Sequence, residues 1–195
     1  MIHLDILKPD FEARKWKLII VSGGARNVGK TTFASLLIQH LNKLNCKVVA
    51  LKISPHKHDD NPPFCTFSDH RFILSLEKDA HTSKDSSRFL KAGAHDSWFL
   101  QVNDNYLEDA FNYTSSFFSP DDIVVVESGA LRNIINPDIH FFVMSKSSNQ
   151  MKDSASEMMK LAQKIVQFDG KDFDFDTENL VLENNKLVLN DSFGR

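Results

Sequence analysis

Apolar residues along this chain come in short runs divided by polar, glycine-bearing and proline-bearing breaks, which predicts strands alternating with helices. The run Leu18-Ile19-Ile20-Val21 has no polar alternation, so residues 17–21 are expected as a strand buried on both faces. From 30 to about 44 the period changes. Phe33, Leu37 and Leu41 recur at i+4 with Ala34 and Ile38 beside them, which predicts a helix laying one face on a sheet. Residues 47–53 read as a second buried strand. Together these make a β-α-β unit with parallel strands and a right-handed crossover.

Residues 54–83 hold Pro55, Pro62, Pro63 and several histidines with little sustained period, so a long loop is expected there, with one short strand at 71–76. A helix at 84–92 should stop at Gly93, which can take the left-handed conformation that follows a helix. A strand at 97–102 and an amphipathic helix at 106–117 come next. Ile123-Val124-Val125-Val126 is the most strand-like run and reads as a central parallel strand, with another strand at 139–144. Met158, Leu161, Ala162 and Ile165 fall on one side of a final helix expected over 151–166. Strands at 180–183 and 186–189 flank Asn184-Asn185, a pair that tolerates the positive φ of a type I′ hairpin turn.

The break between the first strand and the first helix carries the chemistry. It reads Gly24-Ala25-Arg26-Asn27-Val28-Gly29-Lys30-Thr31-Thr32, and three of the seven glycines (Gly23, Gly24 and Gly29) fall in or beside it. Strand, glycine loop and helix N-terminus form an anion cradle, because backbone N–H groups turn inward and the helix dipole adds partial positive charge. This is the phosphate-binding P-loop pattern, in which the lysine reaches the β- and γ-phosphates and the following hydroxyl meets Mg²⁺. Gly24, Asn27, Val28, Gly29, Lys30, Thr31 and Thr32 are the expected nucleotide-binding set. The implied fold is a three-layer α/β P-loop NTPase with a mostly parallel sheet and a C-terminal β-hairpin extension. It is expected as a single domain over 1–195, its core at about 15–167 and the extension at 168–195.

At 195 residues the chain suits one domain with a sizeable core. A formal net charge of −3, with no long basic face, gives no expectation of a nucleic-acid partner. No apolar run approaches the roughly 20 residues of a membrane span, and the start lacks the layout of a signal peptide. Cys46 and Cys65 are too few for a disulfide framework. A cytoplasmic protein is expected.

Other constellations add candidates. Glu127 ends the central strand before Ser128-Gly129, where a carboxylate can hold Mg²⁺ or its water; Thr31 and Glu127 are the candidate metal ligands, and Lys30 and Glu127 the candidate catalytic residues. Lys84 and Arg88 are spaced i,i+4 near a helix start, and they read either as a phosphate grip or as a solvated charged face. His56 and His58, with Asp59, Asp60, Cys65 and His70 nearby, have metal-ligand composition without a second paired motif at zinc spacing. Arg26 reads equally as a phosphate contact or as a solvent-facing loop residue. Ser145-Lys146-Ser147-Ser148 lacks the aspartate of the guanine-reading Asn-Lys-x-Asp pattern, so the base stays open between GTP and ATP.

Three segments together resemble one family. They are Gly24–Thr32 after the first strand, Lys52 with His56 and His58 after the second, and Lys84-Asp85-Ser86-Ser87-Arg88 leading to Ala92-Gly93-Ala94. The chain resembles the molybdopterin-guanine dinucleotide biosynthesis protein B family over about 15–145. The resemblance implies a P-loop GTP-binding protein with slow hydrolysis, acting as a homodimer beside a nucleotidyltransferase that attaches GMP to molybdopterin. It implies that Gly24, Gly29, Lys30, Thr31 and Thr32 bind phosphates, that Thr31 and Glu127 serve Mg²⁺, and that Lys84, Asp85 and Arg88 approach the nucleotide or the pterin phosphate. The chain departs from the family's pattern in its longer histidine segment and in Glu127-Ser128-Gly129-Ala130, which replaces Glu-Gly-aromatic-Lys. Two other readings stand beside it. One is a small-molecule kinase or ATP-dependent ligase similar to dethiobiotin synthetase. The other is a metal-delivery GTPase using His56, His58, Cys65 and His70.

Overall fold

The computed structural model describes residues 13–55, 63–146 and 153–190. Its centre is the first β-α-β unit: β1 (Lys17–Gly23), α1 (Lys30–Lys43) and β2 (Val48–Ser54). There follow β3 (Cys65–Ser68), β4 (Phe72–Leu76), α2 (Asp85–Lys91), β5 (Asp96–Val102), α3 (Leu107–Ser115) and β6 (Ile123–Glu127). The C-terminal part supplies β7 (Ile139–Ser145), α4 (Asp153–Lys160), β8 (Lys164–Phe168), β9 (Leu180–Glu183) and β10 (Lys186–Leu189).

Eight strands form one sheet in the order β3-β4-β5-β2-β6-β1-β7-β8, and β9 and β10 form a separate antiparallel hairpin. Pairing is parallel from β5 to β8 and antiparallel only at β3-β4 and β4-β5. β6 lies between β2 and β1, and its five residues are all buried, as the unbroken Ile-Val-Val-Val run predicts for a central strand.

The period-2 geometry of β1 divides the core. Ile19 and Val21 join Phe33, Leu37 and Leu41 of α1 on one face, while Leu18 and Ile20 join Leu107, Ala110 and Phe111 of α3 on the other. Helices therefore cover both faces, which makes three layers. The tail is part of this core: Phe175 and Leu180 are buried with α1, and the His40 ring Nε2 bonds the Leu180 carbonyl oxygen.

Two expectations are corrected. The helix expected over 151–166 ends at Lys160, and Lys164–Phe168 becomes β8, parallel to β7. The i, i+3, i+4 stripe of Met158, Leu161, Ala162 and Ile165 was misleading, because Leu161 is 44% exposed and Ile165 is 40% exposed. Val166, the next residue, is fully buried, as alternation in a β-branched strand requires. The second correction concerns 54–83, whose described residues are loop apart from two short strands rather than one. Besides the strand expected at 71–76, which forms as Phe72–Leu76, it contains β3, whose Phe67 ring stacks on Phe72 at 4.8 Å.

β8 is an edge strand, and the segment after it covers that edge. Phe168 bridges to Phe173, the Gln167 N–H donates to Asp174 Oδ1, and the Asp174 N–H donates to the Gln167 carbonyl.

Candidate functional site

A cleft of about 920 Å³ opens at the C-terminal ends of β1, β2 and β6. Its floor is the P-loop. Gly23 must be glycine because a Cβ there would lie 2.5 Å from the Val143 carbonyl oxygen of β7. Gly29, at φ 95°, is the residue from which α1 starts, in a conformation that L side chains rarely adopt. Among the described residues no side chain caps this helix start, and its first turn carries no acidic residue. The first-turn N–H groups and the positive end of the dipole are thus left for an anion from outside the helix.

Lys30 begins α1 and folds back so that its ammonium donates to the Ala25 carbonyl. Burial pulls its pKa below the ordinary lysine value, with Glu127 opposing that shift and Lys52 reinforcing it. The next residue, Thr31, donates its hydroxyl to Glu127 Oε2 at 2.7 Å. Glu127 is only 2% exposed and sits where the parallel registers pair it with Val21 on β1 and with Lys52 on β2. That register explains the next contact: Lys52 Nζ donates to Glu127 Oε1 at 2.6 Å.

Lys52 also meets Asp85 Oδ2 at 2.8 Å. Burial alone would lower the Lys52 pKa, but Glu127 and Asp85 outweigh it and raise the value, so the ammonium stays charged. For Asp85 burial acts upward, yet hydrogen bonds and charge from Lys52, with help from the charge of Arg88, bring its carboxyl below the usual range. Arg88 donates from Nη2 to Thr32 Oγ1 at 2.9 Å and lies 3.9 Å from Asp85.

The Asp85-Ser86-Ser87-Arg88 stretch divides its work by helix geometry. Ser86 Oγ donates to Glu77, and Ser87 Oγ donates to the Asp79 carbonyl, which fastens the start of α2 to the preceding segment. Asp85 and Arg88, one turn apart, face the cleft. Lys84 precedes the helix as its N-cap residue, is exposed and does not line the cleft. Gly93 ends the element at φ 100°, as expected, and its carbonyl accepts from the Asn42 side chain at the end of α1.

Across β1 from Glu127 the cleft is apolar. Phe168, at the end of β8, and Met158 of α4 line it. Phe168 stacks on Phe173 at 4.6 Å, and the pair rests on the P-loop: a Cβ at Gly29 would lie 3.0 Å from the Phe168 ring.

Of the expected set, the structure brings Gly24, Asn27, Gly29, Lys30, Thr31, Thr32, Asp85, Arg88 and Glu127 to one cleft, with Arg26 exposed on its rim. Val28 is 4% exposed and packs in the core on the α1 face. Cys65 and His70 are exposed, and among the described residues no group of three or more His, Cys, Asp or Glu could hold a metal ion. His56, His58, Asp59 and Asp60 lie outside the described residues. Phe168 and Lys52 are cleft residues that residue-by-residue reading missed, Lys52 having been named only as part of the family resemblance. For Lys52 the available signal was a lone charge inside an otherwise apolar strand, a position that is costly unless the charge is paired.

No family model matches the chain, and no curated protein or solved structure matches it either.

Proposed function

We propose that this protein binds a nucleoside triphosphate, GTP or ATP, together with Mg²⁺ and hydrolyses it slowly. The observation that carries the reading is the Thr31–Glu127 hydrogen bond at 2.7 Å beside the uncapped start of α1 and Lys30. The P-loop amides and Lys30 would hold the phosphates. The Thr31 hydroxyl with the Glu127 and Asp85 carboxylates is a set of hard oxygen donors, which suits Mg²⁺. Mg²⁺ held there would neutralise charge on the β- and γ-phosphate oxygens.

Slow turnover follows from the same contacts. Among the described cleft residues, Glu127 is engaged by Thr31 and Lys52, and Asp85 by Lys52. Neither carboxylate is free to take a proton from an attacking water.

The family resemblance supplies the context. It supports an accessory role in forming molybdopterin guanine dinucleotide, beside a nucleotidyltransferase, as a cytoplasmic homodimer. Among the described residues no helix is long and apolar enough to cross a membrane. One feature favours transfer to a small acceptor, as in a dethiobiotin-synthetase-like enzyme: Lys52 and Arg88 add two cations to those of the P-loop.

The test is calorimetric titration with Mg-GTP and Mg-ATP, with and without molybdopterin, on the native chain and on Lys30→Ala. We expect binding of at least one nucleotide and its loss in a folded Lys30→Ala. Equal affinity in both proteins would overturn the P-loop reading. Phosphate appearing on an added carboxylate acceptor would move the assignment to the ligase class.

A further inference from the structure

The Lys52 ammonium sits between two carboxylates, 2.6 Å from Glu127 and 2.8 Å from Asp85. The second Glu127 oxygen accepts from the Thr31 hydroxyl. Those three groups, Thr31, Asp85 and Glu127, are the oxygen set that the Mg²⁺-nucleotide reading assigns to the divalent ion. The ammonium and a divalent ion therefore compete for the same oxygens.

Burial explains why an ammonium must be there first. A carboxylate as enclosed as Glu127 is strongly disfavoured without a compensating cation. Lys52 supplies that charge from within the chain, tethered on β2 opposite Glu127 in the parallel register. We infer that Lys52 is the resident cation of this site and exchanges with the divalent ion that arrives with the nucleotide. The inference rests on the proposed nucleotide reading and adds a selection rule to it.

The rule follows from what each incoming species offers. A free divalent ion must displace the ammonium and leaves it without an anion. A divalent ion bound to a triphosphate brings its own phosphate ligands and presents phosphate oxygens to the displaced ammonium. The site therefore refuses the free ion and admits the metal–nucleotide complex. Arg88, which donates to Thr32 and lies 3.9 Å from Asp85, adds positive charge on the same side and strengthens the refusal.

The probe is Mn²⁺ alone, followed by electron paramagnetic resonance on the full chain without nucleotide. The native protein should bind it weakly. Lys52→Met, which keeps the length and removes the charge, should bind it at least about tenfold tighter, a modest effect for deleting one like charge at contact distance. Lys52→Arg should stay as weak as the native chain, and adding Asp85→Asn to Lys52→Met should remove the gain. Where Lys52→Met loses its melting transition, its recovery on adding Mn²⁺ counts for the proposal and no recovery counts against it. Lys52→Met binding Mn²⁺ no tighter than the native chain, with nucleotide affinity retained, overturns the inference. Native protein that binds neither GTP nor ATP, alongside a Lys52→Met gain, would instead overturn the nucleotide reading and leave the cation exchange standing.

Discussion

Thr31 and Glu127 stand 96 positions apart in the chain and share a hydrogen bond of 2.7 Å, Thr31 donating. The contact exists because β6 inserts between β1 and β2, which brings the last residue of the central strand to the first turn of α1. Glu127→Gln keeps the shape of the side chain and removes its charge. It should weaken Mg²⁺-dependent nucleotide binding about ten- to a hundredfold, the range for a lost hydrogen bond to a charged group. Titrations with and without Mg²⁺ check this. A sharp fall in melting temperature with unchanged Mg²⁺ dependence would make Glu127 a structural residue.

Phe168 tests the other end of the cleft. If phosphates sit on the P-loop and Mg²⁺ beside Glu127, as proposed, the base would extend away from β6, toward β8. The Phe168 ring, backed by Phe173, is the flat apolar surface on that side. Phe168→Ala should lower GTP and ATP affinity by about tenfold, the order of one base–aromatic stack. Affinity for inorganic tripolyphosphate, which has no base, should stay within about twofold. Equal losses for nucleotide and tripolyphosphate would mean that Phe168 acts only by bracing Gly29.

These two sites differ in how legible they were. The glycine loop and the buried Ile123–Glu127 strand each announce themselves locally, the first by composition and the second by an unbroken apolar run. So does the hairpin turn: Asn184 and Asn185 take φ values of 48° and 62°, as a type I′ turn requires. Phe168 was hidden because Met158, Leu161 and Ile165 mimic a helical stripe across a real boundary, and a strand of five residues is too short to outweigh it. β3 was hidden because Cys65, Thr66 and Ser68 are exposed, which leaves Phe67 as its one inward aromatic signal. Lys52 depends on Glu127, 75 positions away, and only sheet register makes them neighbours.

Beneath the P-loop, His140 of β7 is fully buried and shares a 2.7 Å hydrogen bond with Ser22, which lines the cleft. Burial, reinforced by the charge of Arg132, pushes its pKa from 6.5 down to about 4. The unfolded chain takes up a proton near pH 6.5 that the folded chain refuses until about pH 4, so stability falls as pH drops through that window. The full loss is on the order of 3 kcal/mol. His140→Gln, whose amide can reach Ser22 and does not titrate, should remove this component. Urea unfolding of both proteins between pH 4 and pH 8 measures it. Parallel stability curves would show that His140 does not set the acid sensitivity.

Lys84 and Arg88 bracket the first turn of α2 and invite the same expectation from sequence, yet they occupy different environments. Arg88 lines the cleft and donates to Thr32, one residue beyond Thr31, the proposed Mg²⁺ ligand, whereas Lys84 is exposed outside it. An anion bound at the start of α1, as proposed, would therefore lie within reach of Arg88, whereas Lys84 does not line the cleft. Arg88→Ala should lower Mg-nucleotide affinity by about tenfold, the lower end for a charge-assisted contact in a half-exposed position. Lys84→Ala should change it by less than about twofold, since solvent and salt screen an exposed charge. Calorimetry on both variants at one ionic strength decides between them. If Arg88→Ala binds nucleotide as the native chain does but no longer responds to molybdopterin, its guanidinium holds the second ligand; if the two variants lose affinity equally, the helix start acts through its general field rather than through Arg88.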